Sequence, residues 1–231
     1  VHITIIWVLD LRPKDYKLND IGATLTNLIT LLHNYVSHEF GEDKKPFCKV
    51  FLSHAKLSTF LGVTVDFVVG KVGTDLVLRN SLQHVCVEFW NAIVNWNIVD
   101  GQRFTELRKV FSKHPKLKEL LEFMRKQVES KDEESIYFLT LLFDADDFVH
   151  RFLHDFEDVR RKCMDTIMSE LSTLLTELDL ADDLLVLLLE TLVSIASNDE
   201  GRIWLLQEYE QPLMDLVSLF QQKFHEIAEL G

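Results

Sequence analysis

Apolar residues recur along this chain at spacings of three and four, with only short interruptions, and that rhythm predicts helices nearly throughout. Leu18, Ile21, Leu25, Leu28, Ile29, Leu32 and Val36 follow it closely and predict a helix over 18–40. Asn19 or Asp20 caps its start and Gly41 ends it. Pro46 opens a short helix to about residue 55. A second runs over 58–69, although the β-branched run Val63-Thr64-Val65 speaks against it. Residues 74–97 form a long helix with apolar residues on nearly every face, the mark of a helix buried between neighbours. Asp100-Gly101 ends it, and a short helix over 103–111 follows. His114-Pro115 then breaks the chain before an amphipathic helix over 116–128.

Residues 129–134 are a charged linker and the best candidate for an internal boundary. Beyond it the pattern predicts helices over 135–143, 147–156 and 159–178, then 180–197, 202–208 and 212–230. Residues 1–11 are apolar and stop at Arg12-Pro13; they read as the last helix of a preceding unit, with an edge strand as the alternative. The expectation is one all-α domain over 1–231, cut from a longer protein because it opens on Val1 inside an apolar segment.

Three breaks share a signature: an apolar helix, a polar step, and a glycine at Gly41, Gly101 or Gly201, followed by a short and then a longer helix. A fourth copy around 143–147 lacks the glycine. The clearest copy, ETLVSIASNDEGRIWLLQEYEQPLMDLVSLF within 184–220, resembles an armadillo repeat boundary. Leu192, Ile195, Ala196, Gly201, Leu205, Pro212, Leu213, Leu216 and Leu219 fall where such repeats place apolar, turn and core residues. The resemblance implies an armadillo/HEAT-like right-handed α-solenoid whose third helices line a concave groove for extended or helical peptides. Nuclear-import members repeat a Trp with an Asn four residues on. Here Trp90 is followed by Val94, and Asn91 and Asn95 form the pair instead, which argues against that role.

Composition narrows the function. Apolar residues are 47% of the chain, with 8 Gly and 4 Pro, which excludes a mainly disordered chain and disfavours an all-β one. Residues 1–128 carry 17 Lys/Arg against 13 Asp/Glu, and residues 129–231 carry 7 against 24. An acidic second half repels phosphate backbones and anionic lipid, so nucleic acid and membrane are disfavoured partners there. The set Arg103, Arg108, Lys109, Lys113, Lys116 and Lys118 reads as a solvated face, with Phe104 and Phe111 packing inward. No apolar run is long enough to span a bilayer. Cys48, Cys86 and Cys163 are far apart among apolar neighbours, as buried thiols in an intracellular, reducing compartment would be.

The candidate residues are polar or aromatic positions on predicted third helices. Asn91 and Asn95, one turn apart, offer amides to a peptide backbone, and Trp90 an aromatic anchor. Glu190 and Ser194 are the equivalent pair in the clearest repeat. His150 and His154 stand at the i, i+4 spacing that lets two imidazoles share a metal, with Asp147 near that face. The resulting expectation is a non-enzymatic protein-interaction scaffold without cofactor, whose partner segment carries basic residues. A helical metal-dependent hydrolase using His150, His154 and Asp147 is the alternative, and a homodimer through the solenoid ends is a third reading.

Overall fold

The computed structural model describes residues 18–37, 57–70, 76–94, 108–177 and 183–230, and every regular element among them is helical. The expectations for residues 1–11, for the helix after Pro46 and for the breaks at Gly41 and Gly101 lie outside the described residues. The chain divides into two compact units, Val1–Leu120 and Leu121–Gly231. The division falls inside a helix, and not at the charged segment 129–134.

In the first unit, α1 (Leu18–Ser37) and α2 (Leu57–Val69) both pack on α3 (Leu76–Val94). α2 is buried on almost every side by Leu57, Phe60, Leu61, Val65, Phe67 and Val68. That burial outweighs the weak helix propensity of Val63-Thr64-Val65. The Thr64 hydroxyl donates to the Leu61 carbonyl at 2.7 Å and accepts the Trp90 Nε1–H at 2.8 Å, so the polar atom in the run joins two helices. Gln83 on α3 donates to the Val68 carbonyl at 2.7 Å, satisfying one of the acceptors left open where α2 ends. Residues 108–112 are helical, and Phe111 meets the Trp90 ring edge-on at 5.3 Å. The break at His114-Pro115 is pinned to α2. His114 Nε2 lies 3.1 Å from the Gly62 carbonyl oxygen, its Nδ1 accepts from Lys116 N–H at 3.2 Å, and Lys116 pairs with Asp66 at 2.7 Å.

α4 (Leu117–Glu129) carries the division, and the turn that follows it lies within the second unit. Lys131 takes a positive φ of 58°, and Asp132 caps the next helix by accepting from Ser135 N–H at 3.0 Å. The charges of 129–134 thus belong to a tight helix–helix turn.

The second unit continues with α5 (Glu133–Phe143), α6 (Asp146–Asp155), α7 (Glu157–Thr176), α8 (Asp183–Ser197), α9 (Asp199–Glu208) and α10 (Glu210–Leu230). Their pairing is regular: α8 packs on α5, α9 on α6, and α10 on α7. α6 and α9 are 10 residues each, α7 is 20 and α10 is 21, while α5 has 11 and α8 15, so two triplets, matched in length at their second and third helices, lie helix against corresponding helix. The core between them is apolar, from Ile136, Leu139 and Leu142 on α5 to Leu188, Leu192 and Ile195 on α8. Phe152 meets Phe143 edge-on at 4.9 Å and Trp204 at 6.0 Å, which continues the aromatic packing into α9.

Of two punctuating residues, Gly201 acts differently from expectation. Gly201 does not break the chain; it is the third residue of α9, buried, and its N–H is capped by Asn198 at 3.0 Å. A Cβ there would stand 2.2 Å from the Ile195 carbonyl oxygen, so the glycine lets α9 close against the end of α8. Pro212 lies in the first turn of α10, where its missing N–H leaves no partner unsatisfied. The bend falls at Tyr209, whose hydroxyl donates to Asp165 on α7 at 2.9 Å.

Candidate functional site

Trp90 and Asn91 do not form an open rung. Trp90 is fully buried with its Nε1–H committed to Thr64, and Asn91 is 6% exposed. α3 is covered along this stretch because Phe89, Trp90, Ile93 and Val94 fill the core of its unit. Asn95 lies outside the described residues. An aromatic and an amide within an apolar run were thus core residues.

Glu190 and Ser194 separate. Glu190 is exposed on α8 between two exposed valines, Val186 and Val193, at helical spacing along one stripe. Ser194 is half-buried and donates to Asp144 Oδ1 at 2.8 Å. Asn198 donates to Asp146 Oδ1 at 2.7 Å, and in the interior the Thr140 and Thr191 hydroxyls meet at 2.7 Å. These bonds join residues 50 to 52 positions apart and tie the two triplets in one register. Sequence reasoning missed Asp144, Asp146 and Asn198 as partners. The available signal was the recurrence of short acidic or amide breaks about fifty residues apart.

Exposed large apolar side chains are most frequent on the last three helices. Of the ten large ones among the described residues, seven lie on α8 to α10: Val186, Val193, Ile203, Leu206, Met214, Val217 and Phe224. Residues 183–230 hold nine Asp/Glu against two Lys/Arg. The surface here is apolar and acidic together.

The histidine pair is brought to a carboxylate, but not to Asp147. His150 and His154 project from α6 with ring centroids 4.6 Å apart. Glu200, on the stacked helix α9, places Oε2 3.0 Å from His150 Nδ1 and 3.3 Å from His154 Nε2. A carboxylate only accepts, so both rings donate from those nitrogens. These hydrogen bonds, His150's first, hold the Glu200 carboxyl below its ordinary range. All three residues are exposed. Glu200 was invisible in sequence because its partnership depends on α9 stacking on α6.

Burial decides the cysteines. Cys86 and Cys163 are free and fully buried, and burial pushes the Cys163 thiol up to about 12 and that of Cys86 further. Neither is a nucleophile at neutral pH. Cys48 lies outside the described residues. No helix among the described residues is long and apolar enough to cross a membrane. Compared with family models, curated proteins and solved structures, the chain matches none.

Proposed function

We propose that this chain is a protein-interaction module built as an armadillo/HEAT-like helical stack, without an enzymatic activity of its own. Support for the stack comes from the second unit, where each helix of one triplet packs on its counterpart in the next. The observation that carries the binding role is the concentration of exposed apolar side chains on α8 to α10 within a strongly acidic stretch. Scattered surface leucines and valines need no explanation, but seven on three consecutive helices do.

The partner is a segment with apolar anchors flanked by Lys or Arg. Val186 and Val193 take the anchors, and Glu190 between them takes a basic residue. A second copy of this chain fits less well, because two such acidic faces repel and the chain carries a net charge of −13. The buried, unpaired Cys86 and Cys163 suit a reducing compartment.

The test is quantitative affinity capture with wild type and with Val186→Asp/Val193→Asp, together with light scattering of each. A partner retained by the wild type and lost by an equally helical variant supports the reading. Identical capture by both proteins overturns it, and a wild-type dimer that the variant abolishes assigns the face to self-association instead.

A further inference from the structure

We propose that His150, His154 and Glu200 form a binding site for a divalent transition-metal ion that clips α6 to α9. Two imidazoles one helical turn apart supply nitrogen ligands, and the third donor comes from the helix stacked on theirs. The three donor atoms lie within 4.8 Å of one another. In a tetrahedral zinc site with bonds of about 2.0–2.1 Å, neighbouring ligand atoms are roughly 3.3 Å apart. The two nitrogen-to-oxygen separations, 3.0 and 3.3 Å, already match that edge. Each ring must first shift the proton it donates to Glu200 onto its other nitrogen, and because the side chains are exposed, closing the remaining edge then takes rotation of the rings with no repacking of the core.

The ligand set selects the ion. Two imidazoles and one carboxylate suit zinc, nickel, cobalt or copper, whereas magnesium and calcium take all-oxygen shells. The neighbouring positive charges are offset by carboxylates. Arg151 and Arg202, the arginines that follow His150 and Glu200 on the two helices, pair with Asp155 and Asp199 at 2.6 Å each. Three protein ligands leave a fourth position for water. Asp147 lies outside the cluster, and the three donors come from two stacked helices, so a bound ion joins α6 to α9.

The test is calorimetric titration of the chelator-treated chain with zinc chloride, beside His150→Ala/His154→Ala, Glu200→Gln and Asp147→Asn. The first unit also holds imidazoles near a carboxylate, His33 and His84 beside Glu88 at 3.8 and 3.5 Å, so the difference between proteins is the readout. The wild type is expected to bind one more zinc ion per chain than the double-histidine variant. Glu200→Gln should weaken that site at least tenfold, with Asp147→Asn equal to wild type. Equal stoichiometry in the wild type and the double-histidine variant overturns the site. Loss in the histidine variant with no effect of Glu200→Gln overturns the clip, because the ion would then sit on α6 alone.

Discussion

Thr140 on α5 and Thr191 on α8 share a 2.7 Å hydrogen bond between their hydroxyls inside an otherwise apolar helix pair. Each oxygen also lies within bonding distance of its own helix, Thr140 at 3.0 Å from the Ile136 carbonyl and Thr191 at 2.9 Å from that of Leu187. A hydroxyl has a single proton, so one threonine donates across the interface and the other donates back to its own helix. The pair fixes how α8 slides along α5.

Thr140→Val should therefore lower stability by about 1 kcal/mol, because Thr191 keeps its bond to the Leu187 carbonyl but loses its neighbour. Thr140→Val/Thr191→Val should cost no more than the single change, since both polar groups then leave together. Denaturant melts of the two single variants and the double one check this non-additivity. Additive losses would mean that the hydroxyls do not act as a pair.

Gly201→Ala places a methyl group 2.2 Å from a backbone oxygen, where the neighbour is no flexible side chain. The expected loss is about 3 kcal/mol, at the upper end of overpacking costs, despite alanine's better helix propensity. Thermal denaturation followed by far-ultraviolet circular dichroism measures it. A neutral or stabilising change would show that α9 does not close on α8 at this point.

His114 makes the first unit sensitive to mild acid. Burial holds its pKa below the ordinary 6.5, against the opposing pull of Asp66 and the Gly62 carbonyl, with Lys116 and Glu119 also acting on it. The unfolded chain then binds a proton that the folded chain refuses, so stability is full above pH 6.5 and falls as the pH drops from there through the lowered pKa. Protonation also removes the acceptor that Nδ1 offers to Lys116 N–H. His114→Gln should flatten the pH dependence of the melting temperature below about pH 6.5, the ordinary histidine pKa. An unchanged slope would assign the dependence to other groups.

Trp90→Phe keeps most of the buried volume but strips Thr64 of the donor it holds at 2.8 Å. A loss of about 1–3 kcal/mol is expected from the unsatisfied oxygen and the smaller ring together. Trp90→Phe/Thr64→Val should recover part of it, by removing the oxygen left without a donor, although the bond to the Leu61 carbonyl goes with it. Chemical denaturation of the three proteins decides, and the absence of any recovery would place the whole effect in ring packing.

Helices were legible in the sequence because burial on one side leaves a period in the order of apolar and polar residues. α7 and α8 read directly from Ile167, Met168, Leu171, Leu174 and Leu175 and from Leu184, Leu188, Leu192 and Ile195. The boundaries were less so. Gly201 looked like a break because glycine usually marks one, whereas here it answers to a close approach between helices that no local pattern records. Trp90 and Asn91 looked like a binding rung because an amide in an apolar helix has two readings, and only burial separates them. The partnership of Glu200 with His150 and His154 spans about fifty residues and exists only once α9 lies on α6.

The binding role rests on the stripe Val186, Glu190 and Val193. The most direct measurement is the affinity of the captured partner segment for the wild type and for Val186→Asp/Val193→Asp, at low and at high salt. The double variant should bind at least about tenfold more weakly, equivalent to roughly 1.4 kcal/mol, while keeping its helicity. Wild-type binding should itself weaken as salt rises, because the acidic surface draws a basic partner. A folded double variant that binds as tightly as the wild type, at either salt concentration, would contradict the assignment.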